Sequence, residues 1–194
     1  MPAIDVPGIA LRPVAGTDEA FLARLYASTR DAEMDRTGWS EAQRAAFLAM
    51  QFNAQQRAYR ACPDAEFQLL LRHGEAIGRL YLQHNAGSLH VIDLSLLPAH
   101  QNRGIGSGVL AAVLALAASA GKRVDLQVER HNRAQALYRR LGFRTVQDDG
   151  VYRRMVWDGA CRAAHDEPVQ ACVKRCLLPA APAPALPHRP NPDE

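Results

Sequence analysis

The run Gln101-Asn102-Arg103-Gly104-Ile105-Gly106-Ser107-Gly108 lies between an apolar strand pattern and a long apolar helix pattern. A glycine-rich turn at a helix N-terminus presents backbone N–H groups and partial positive charge, a setting that binds an anion. Glycines also let the backbone approach such a ligand closely. The spacing is not that of a Walker A loop, because no Gly-Lys-Ser/Thr follows. A dinucleotide-binding turn stays open on this run alone, with Asp125 about 20 positions on where a ribose-binding acid would stand. Four further side chains have the chemistry to move protons: His90, Asp93, Glu129 and Tyr138. Asp93 is a carboxylate inside a strand that otherwise reads buried, so it needs a partner or a role. Strand alternation puts it on the face opposite His90 unless a bulge intervenes. Glu129 ends the following strand. Tyr138 falls in helical register with Ala134, Leu137 and Leu141, near the apolar face of its helix. Helical spacing alone makes it a core aromatic whose hydroxyl finds a partner.

The elements that must position these residues follow from periodicity and turn chemistry. Ile9–Val14 reads as a first strand. Thr17 caps a helix to about Arg30, with Phe21, Leu22, Leu25 and Tyr26 at helical spacing. Residues 31–39 read as a polar link. Ser40 with Gln43 forms a capping box that opens a second helix to about Ala61. Three strands follow over Glu66–Arg72, Ala76–Gln83 and Leu89–Leu97, separated by His73-Gly74 and Asn85-Ala86-Gly87. An uncharged helix spans about Gly104–Ala120 and stops at Gly121. Val124–Val128 is a buried strand pattern, and Asn132 caps a helix to Leu141. Phe143–Gln147 and Val151–Trp157 form a final hairpin around Asp148-Asp149-Gly150. The order is β-α-α-β-β-β-α-β-α-β-β, an α/β domain ending near residue 158. The meander ahead of the glycine turn argues against the dinucleotide reading, since a Rossmann unit would start the fold with that turn.

The chain has 194 residues and a formal net charge of +3. Its charged and apolar fractions are those of a folded globular protein. Residues 122–154 hold 9 basic and 4 acidic side chains, so the whole positive surplus lies there. That is too little for a nucleic-acid protein with a strong basic face, and enough to serve a small phosphorylated ligand. The longest uncharged run, Gly104–Gly121, is short for a membrane span and rich in Ala and Gly, so no membrane association is expected. Few, scattered cysteines and no basic-then-apolar leader at the start of the chain give the expectation of a reducing, cytoplasmic setting.

The wider pattern resembles the GCN5-related N-acetyltransferase (GNAT) superfamily. It is carried by Ile92-Asp-Leu-Ser-Leu-Leu-Pro98-x-x-Gln101-x-x-Gly104-x-Gly106, followed by Leu126-x-Val128-x-x-x-Asn132-x-x-Ala-x-x-Leu137-Tyr138-x-x-Leu-Gly142-Phe143. The resemblance covers residues 9–157. It implies the GNAT acyl-CoA N-acyltransferase fold, a mixed central sheet of about seven strands flanked by about four helices. It also implies an N-acetyltransferase that moves an acetyl group from acetyl-CoA to a primary amine by direct attack in a ternary complex. In that frame the pyrophosphate would sit on N–H groups of Asn102, Arg103, Gly104, Ile105, Gly106 and Ser107. Gln101 belongs to the same signature. Pantetheine would run along Leu94–Leu97 like an added strand. An N–H there, from Leu96, would bind the thioester oxygen. Asn132 would contact or shape the pantetheine channel, and Tyr138 would protonate the departing thiolate. Arg103, Arg130, Arg133, Arg139, Arg140 and Lys122 would be available to the CoA phosphates.

The amine must be neutral to attack a thioester, which calls for a base or a water chain. His90 stands 11 residues before Gln101, where histone acetyltransferases of this superfamily carry a base-acting Glu; Asp93 and Glu129 are the alternatives. The first two helices and the loop after them would line the acceptor pocket, with Arg30, Asp31, Glu33, Asp35 and several aromatics there. A non-catalytic acyl-CoA-binding or regulatory module is the alternative function, since it keeps the loop and needs no base. Beyond the domain (1–158), residues 159–178 read as an extension with a short amphipathic helix, and 179–194 as a Pro/Ala-rich disordered tail. Cys161, His165, Cys172 and Cys176 do not have the spacing of common zinc modules, so no metal is expected. The apolar stripe through Cys172 and Cys176 suits packing on the domain or on a second copy in a homodimer.

Overall fold

The computed structural model describes residues 4–159. Its strands are β1 (Ala10–Pro13), β2 (Ala65–Arg72), β3 (Glu75–His84), β4 (Ser88–Leu96), β5 (Arg123–Glu129), β6 (Arg144–Asp148) and β7 (Tyr152–Trp157). Its α-helices are α1 (Glu19–Ser28), α2 (Asp31–Met34), α3 (Glu41–Arg60), α4 (Ile105–Ser119) and α5 (Gln135–Arg140). The seven strands form one mixed sheet in the order β1-β2-β3-β4-β5-β7-β6. Only β4 and β5 run parallel, joined by the α4 crossover; every other neighbouring pair is antiparallel.

The two faces bury different clusters. Leu80, Leu82, Leu89, Val91, Val124, Leu126 and Val128 pack with Val109, Leu110, Val113 and Leu114 of α4. Across the sheet, Leu69 packs with Leu22 and Tyr26 of α1 and Phe52 of α3. Tyr81 packs with Tyr59 and Cys62 on the same side. Helix α4 buries Val109, Leu110, Val113, Leu114 and Ala117. The Ser40–Gln43 capping box that starts α3 is fully formed.

Three local expectations differ from what is observed. Thr17 does not cap α1: residues Gly16–Asp18 form a 3₁₀ turn, and Asp18 accepts from the Ala15 N–H and from Arg12 instead. The segment read as a polar link holds the single-turn helix α2, stabilised by Asp31 and Glu33 in its first turn. Helix α5 begins at Gln135 rather than directly after Asn132, whose Oδ1 accepts from the Ala134 N–H at 2.8 Å and makes a turn first.

The feature that shapes the molecule is a bulge in β4. Tyr81 pairs with Asp93 and Leu82 with Val91, which leaves Ile92 as an extra residue. Gly78 allows β3 and β4 to stay close beyond it, since a Cβ there would collide with the Ser95 carbonyl oxygen. Parallel pairing of β4 to β5 runs only from Ser88↔Arg123 to Val91↔Leu126. Past that point β4 follows β3 and β5 follows β7, so the sheet parts into a gap between Leu94–Leu97 and Gln127–Glu129. Among the described residues no helix is long and apolar enough to cross a membrane. The extension helix, its cysteines and the Pro/Ala-rich tail lie outside the described residues.

Candidate active site

The glycine-rich turn follows β4 at the end where the gap opens. Pro98–His100 forms one 3₁₀ turn after β4, and the Gln101 side-chain amide donates to the Leu96 carbonyl at 2.8 Å, which fastens the turn to the strand. Asn102 and Gly104 adopt positive φ, 57° and 79°. Gly104 is the N-cap of α4, and the first helical bond runs from the Gly108 N–H to its carbonyl at 2.9 Å. The N–H groups of Ile105, Gly106 and Ser107 therefore have no acceptor inside the helix. Gly104 answers to its backbone conformation. Gly106 answers to neither strain nor crowding, because a Cβ there would meet only Leu96 Cδ1 at 3.9 Å. These donors and this open space are a cradle that an anionic group such as a pyrophosphate fits. Arg103 is exposed and makes no hydrogen bond to a described residue. The guanidinium of Arg133 reaches only 3.5 Å from Gln101 Oε1.

The β4 wall of the gap offers backbone donors. The Leu97 N–H bonds to the Ile77 carbonyl, so by alternation the N–H groups of Leu96 and Leu94 point away from β3, toward the gap. Tyr138 of α5 stands near this wall. Its ring packs on Phe143 with centroids 5.8 Å apart, and its hydroxyl makes no hydrogen bond to a described residue. Burial, and then the negative charge of Asp93, push its pKa up to about 12. The phenol is thus held protonated, and Asp93 is within its electrostatic reach. Gly142, after α5, has φ 92° and lies under Trp157, where an added Cβ would come within 3.3 Å of the ring.

The three candidate bases differ sharply in what they touch. The bulge at Ile92 cancels simple alternation and turns Asp93 to the same face as His90. Both are engaged by protein partners. His90 is 1% exposed and its Nδ1 lies 2.7 Å from Asp125 Oδ2, itself 1% exposed, at the closed end of the gap. Asp93 accepts from Tyr59 at 2.7 Å, from Arg79 at 2.6 Å and from Ser95 at 2.5 Å. Arg79 is 1% exposed, bonds also to Gln55 and is stacked over the Tyr59 and Tyr81 rings. The Glu129 carboxylate, at the open end of the gap, makes no hydrogen bond to a described residue.

Lys122 is placed where it cannot meet the turn at 101–107. Its ammonium bonds to the Asn85 carbonyl at 2.7 Å, at the opposite end of β4. Arg139 is held by Gln135 at 2.8 Å. Periodicity did not single out two residues that organise the site. Arg79 is a cation among apolar neighbours in β3; it pairs with Ser95 and reaches Asp93 diagonally, and that charge complementarity between neighbouring strands was its signal. Gln135 is 4% exposed and donates to the carbonyls of Glu129 and Arg130 at 2.9 and 2.7 Å, fixing the end of β5. Among the described residues no group of three or more His, Cys, Asp or Glu is arranged to hold a metal ion.

Comparison with known proteins places this architecture. The chain is 45% identical over 92 residues to a mycothiol acetyltransferase of Clavibacter michiganensis subsp. michiganensis, a match covering 44% of this chain. The matched stretch spans only 30% of that relative's length. A similar match of 44% identity over 91 residues is found in Clavibacter sepedonicus. Among solved structures, the fold is shared with PaiA N-acetyltransferase from Thermoplasma acidophilum in complex with coenzyme A. The TM-score is 0.58 at 19% identity, covering 76% of this chain and 97% of that one. It is also shared with an acetyltransferase from Thermus thermophilus, with a TM-score of 0.56 at 24% identity over 78% and 97% of the two chains. A model of the acetyltransferase (GNAT) family matches residues 29–143, more than half of the sequence, and the chain belongs to that family.

Proposed function

We propose that the protein transfers an acetyl group from acetyl-CoA to a primary amine by direct attack in a ternary complex. The observation that carries this reading is the gap between β4 and β5, which ends on helix-start N–H groups without internal acceptors and has an unbonded carboxylate at its open side. The N–H groups of Ile105, Gly106 and Ser107 hold the pyrophosphate, with Asn102 and Arg103 beside them. Leu94, Leu96 and Leu97 line the pantetheine arm, and Asn132 borders it across the gap. The Leu96 N–H, with that of Leu94 next to it, receives the thioester oxygen as negative charge grows there.

Glu129 serves as the base. It takes a proton from the acceptor ammonium, directly or through water, so that the amine lone pair can bond to the thioester carbon. After attack the nitrogen carries one proton too many and gives it to water; as the tetrahedral centre collapses the C–S bond breaks, Tyr138 gives its proton to the leaving sulfur, and the phenolate is reprotonated from solvent. A phenol with a pKa raised to about 12 stays protonated throughout the neutral range, so the acid is always loaded. His90 and Asp93 support the walls and move no proton. Their commitment to protein partners favours one second reading, an acyl-CoA-binding module without turnover, and Glu129 discriminates between the two. Acetyl-CoA should raise the melting temperature, and CoA thiol should be released in the presence of an amine panel. Stabilisation without thiol release from any amine supports the binding module; no stabilisation at all refutes both.

A further inference from the structure

Arg30, at the junction of α1 and α2, has one occupied side and one edge without a hydrogen-bond partner among the described residues. Its Nη1 donates to both oxygens of Glu33, at 3.0 and 3.2 Å. Its Nε is buried and has no hydrogen-bond partner among the described residues. Nη2 makes no hydrogen bond to a described residue either. The Nε–Nη2 edge is the fork with which a guanidinium grips a planar oxyanion through two parallel hydrogen bonds. A buried donor left without a partner is costly, so an edge of this kind calls for an acceptor.

The surroundings of that edge are equally particular. Arg30 lies over the Tyr26 ring at 5.8 Å; the Tyr26 hydroxyl donates to Gln51 at 2.9 Å, and its oxygen interacts with Arg30, which opposes the rise that burial gives the Tyr26 pKa. Burial works against the Arg30 charge, yet Tyr26, Glu33 and Glu129 together hold its pKa above the ordinary value. Tyr152, paired with Glu129 in the β5–β7 ladder, feels both Glu129 and Arg30. Arg30 and Glu129 thus act on one another across the open end of the gap, and no salt bridge closes between them. Two opposite charges that sense each other without an ion pair leave room for a ligand bearing both signs.

We infer that the acceptor carries an oxyanion, a carboxylate or phosphate, close to its reactive amine, gripped by the Nε–Nη2 edge of Arg30 while Glu129 meets the amine. This rests on the acetyltransferase reading. Arg30 is then a specificity-determining residue: it fixes the end of the acceptor that does not react and delivers the other to the base.

The test uses matched acceptors with acetyl-CoA and the full chain, read by CoA thiol release. One arm holds amino acids, including β-alanine and dipeptides. A second holds their carboxamides, and a third holds phosphoethanolamine beside ethanolamine. A bidentate charged contact should favour the anionic member of its pair by about 10- to 100-fold in kcat/KM. The first arm winning identifies a carboxylate, and the third a phosphate. Arg30→Gln should bring the ratio close to one, and Arg30→Lys should restore only part of it, because the charge returns without the fork. Glu33→Gln should leave the preference in place, which separates the open edge from the occupied one. Stabilisation by acetyl-CoA reports that each variant is folded. Turnover without preference for the anionic member overturns the inference, as does a preference that survives Arg30→Gln. Thiol release from no amine at all overturns the transferase reading, and this one with it.

Discussion

Asp93 on β4 and Glu129 on β5 are both carboxylates on the α3 side of the sheet, and they stand on opposite walls of the gap. Asp93 accepts three hydrogen bonds, one from a fully buried arginine. The Glu129 carboxylate accepts none from a described residue. A carboxylate so thoroughly satisfied has given up its lone pairs to structure, and taking up a proton there would break an ion pair in a low-dielectric setting. A carboxylate at a rim with no partner keeps its lone pairs for a ligand. Residue type alone does not separate a base from a brace; the count of committed lone pairs does.

The largest effect expected from breaking this contrast is on rate. Glu129→Gln should lower kcat by about 10²- to 10⁴-fold, the range of a lost general base, while denaturant midpoints move little. A mild loss of rate would move Glu129 out of the chemistry. The β4 wall should respond in stability instead. Arg79→Met strands the Asp93 charge and should cost about 3–5 kcal/mol in urea unfolding, because one member of a buried pair is removed. An unchanged midpoint would mean that the pair is not a brace.

Tyr138→Phe comes next, at about 10- to 100-fold in kcat, because an acid with so high a pKa is poorly matched to a thiolate. It has a pH signature. The folded-state pKa, about 12, lies above the ordinary tyrosine value of 10. The folded state therefore holds the proton more tightly, and the contribution is intact below pH 10 and lost as pH climbs toward 12. Tyr138→Phe should flatten part of that alkaline fall. Tyr26, Tyr81 and Tyr152, also raised, account for the remainder. The smallest effect tests neither wall: Ser40→Ala removes the cap of α3 and should cost about 1 kcal/mol with turnover unchanged.

Much of this was readable in the amino-acid order. The turn at 101–108 and the segment from Asn132 to Phe143 are local, and their backbone demands are written in glycines and a short polar side chain. Ser40 and Gln43 form the box that their spacing implies. The relation between His90 and Asp93 was not readable, because the Ile92 bulge depends on how β4 registers against β3, a choice made between strands. Thr17 was a sound cap by type, but Arg12 on β1 drew Asp18 into a different turn. The rank order of the three bases also needed tertiary partners. Nothing near His90 in the chain announces Asp125, 35 residues away.

The four-pair ladder between Ser88–Val91 and Arg123–Leu126 has a mechanical consequence. The sheet consists of two separately braced panels joined along one short seam, with the His90–Asp125 bond as its rivet. Beyond the seam no inter-strand hydrogen bond ties the panels together. Spreading or narrowing them by a small rotation therefore breaks no backbone hydrogen bond between β4 and β5. The resistance to such a motion comes from side-chain packing, while the Gln135 staple makes the β5 panel swing as one piece.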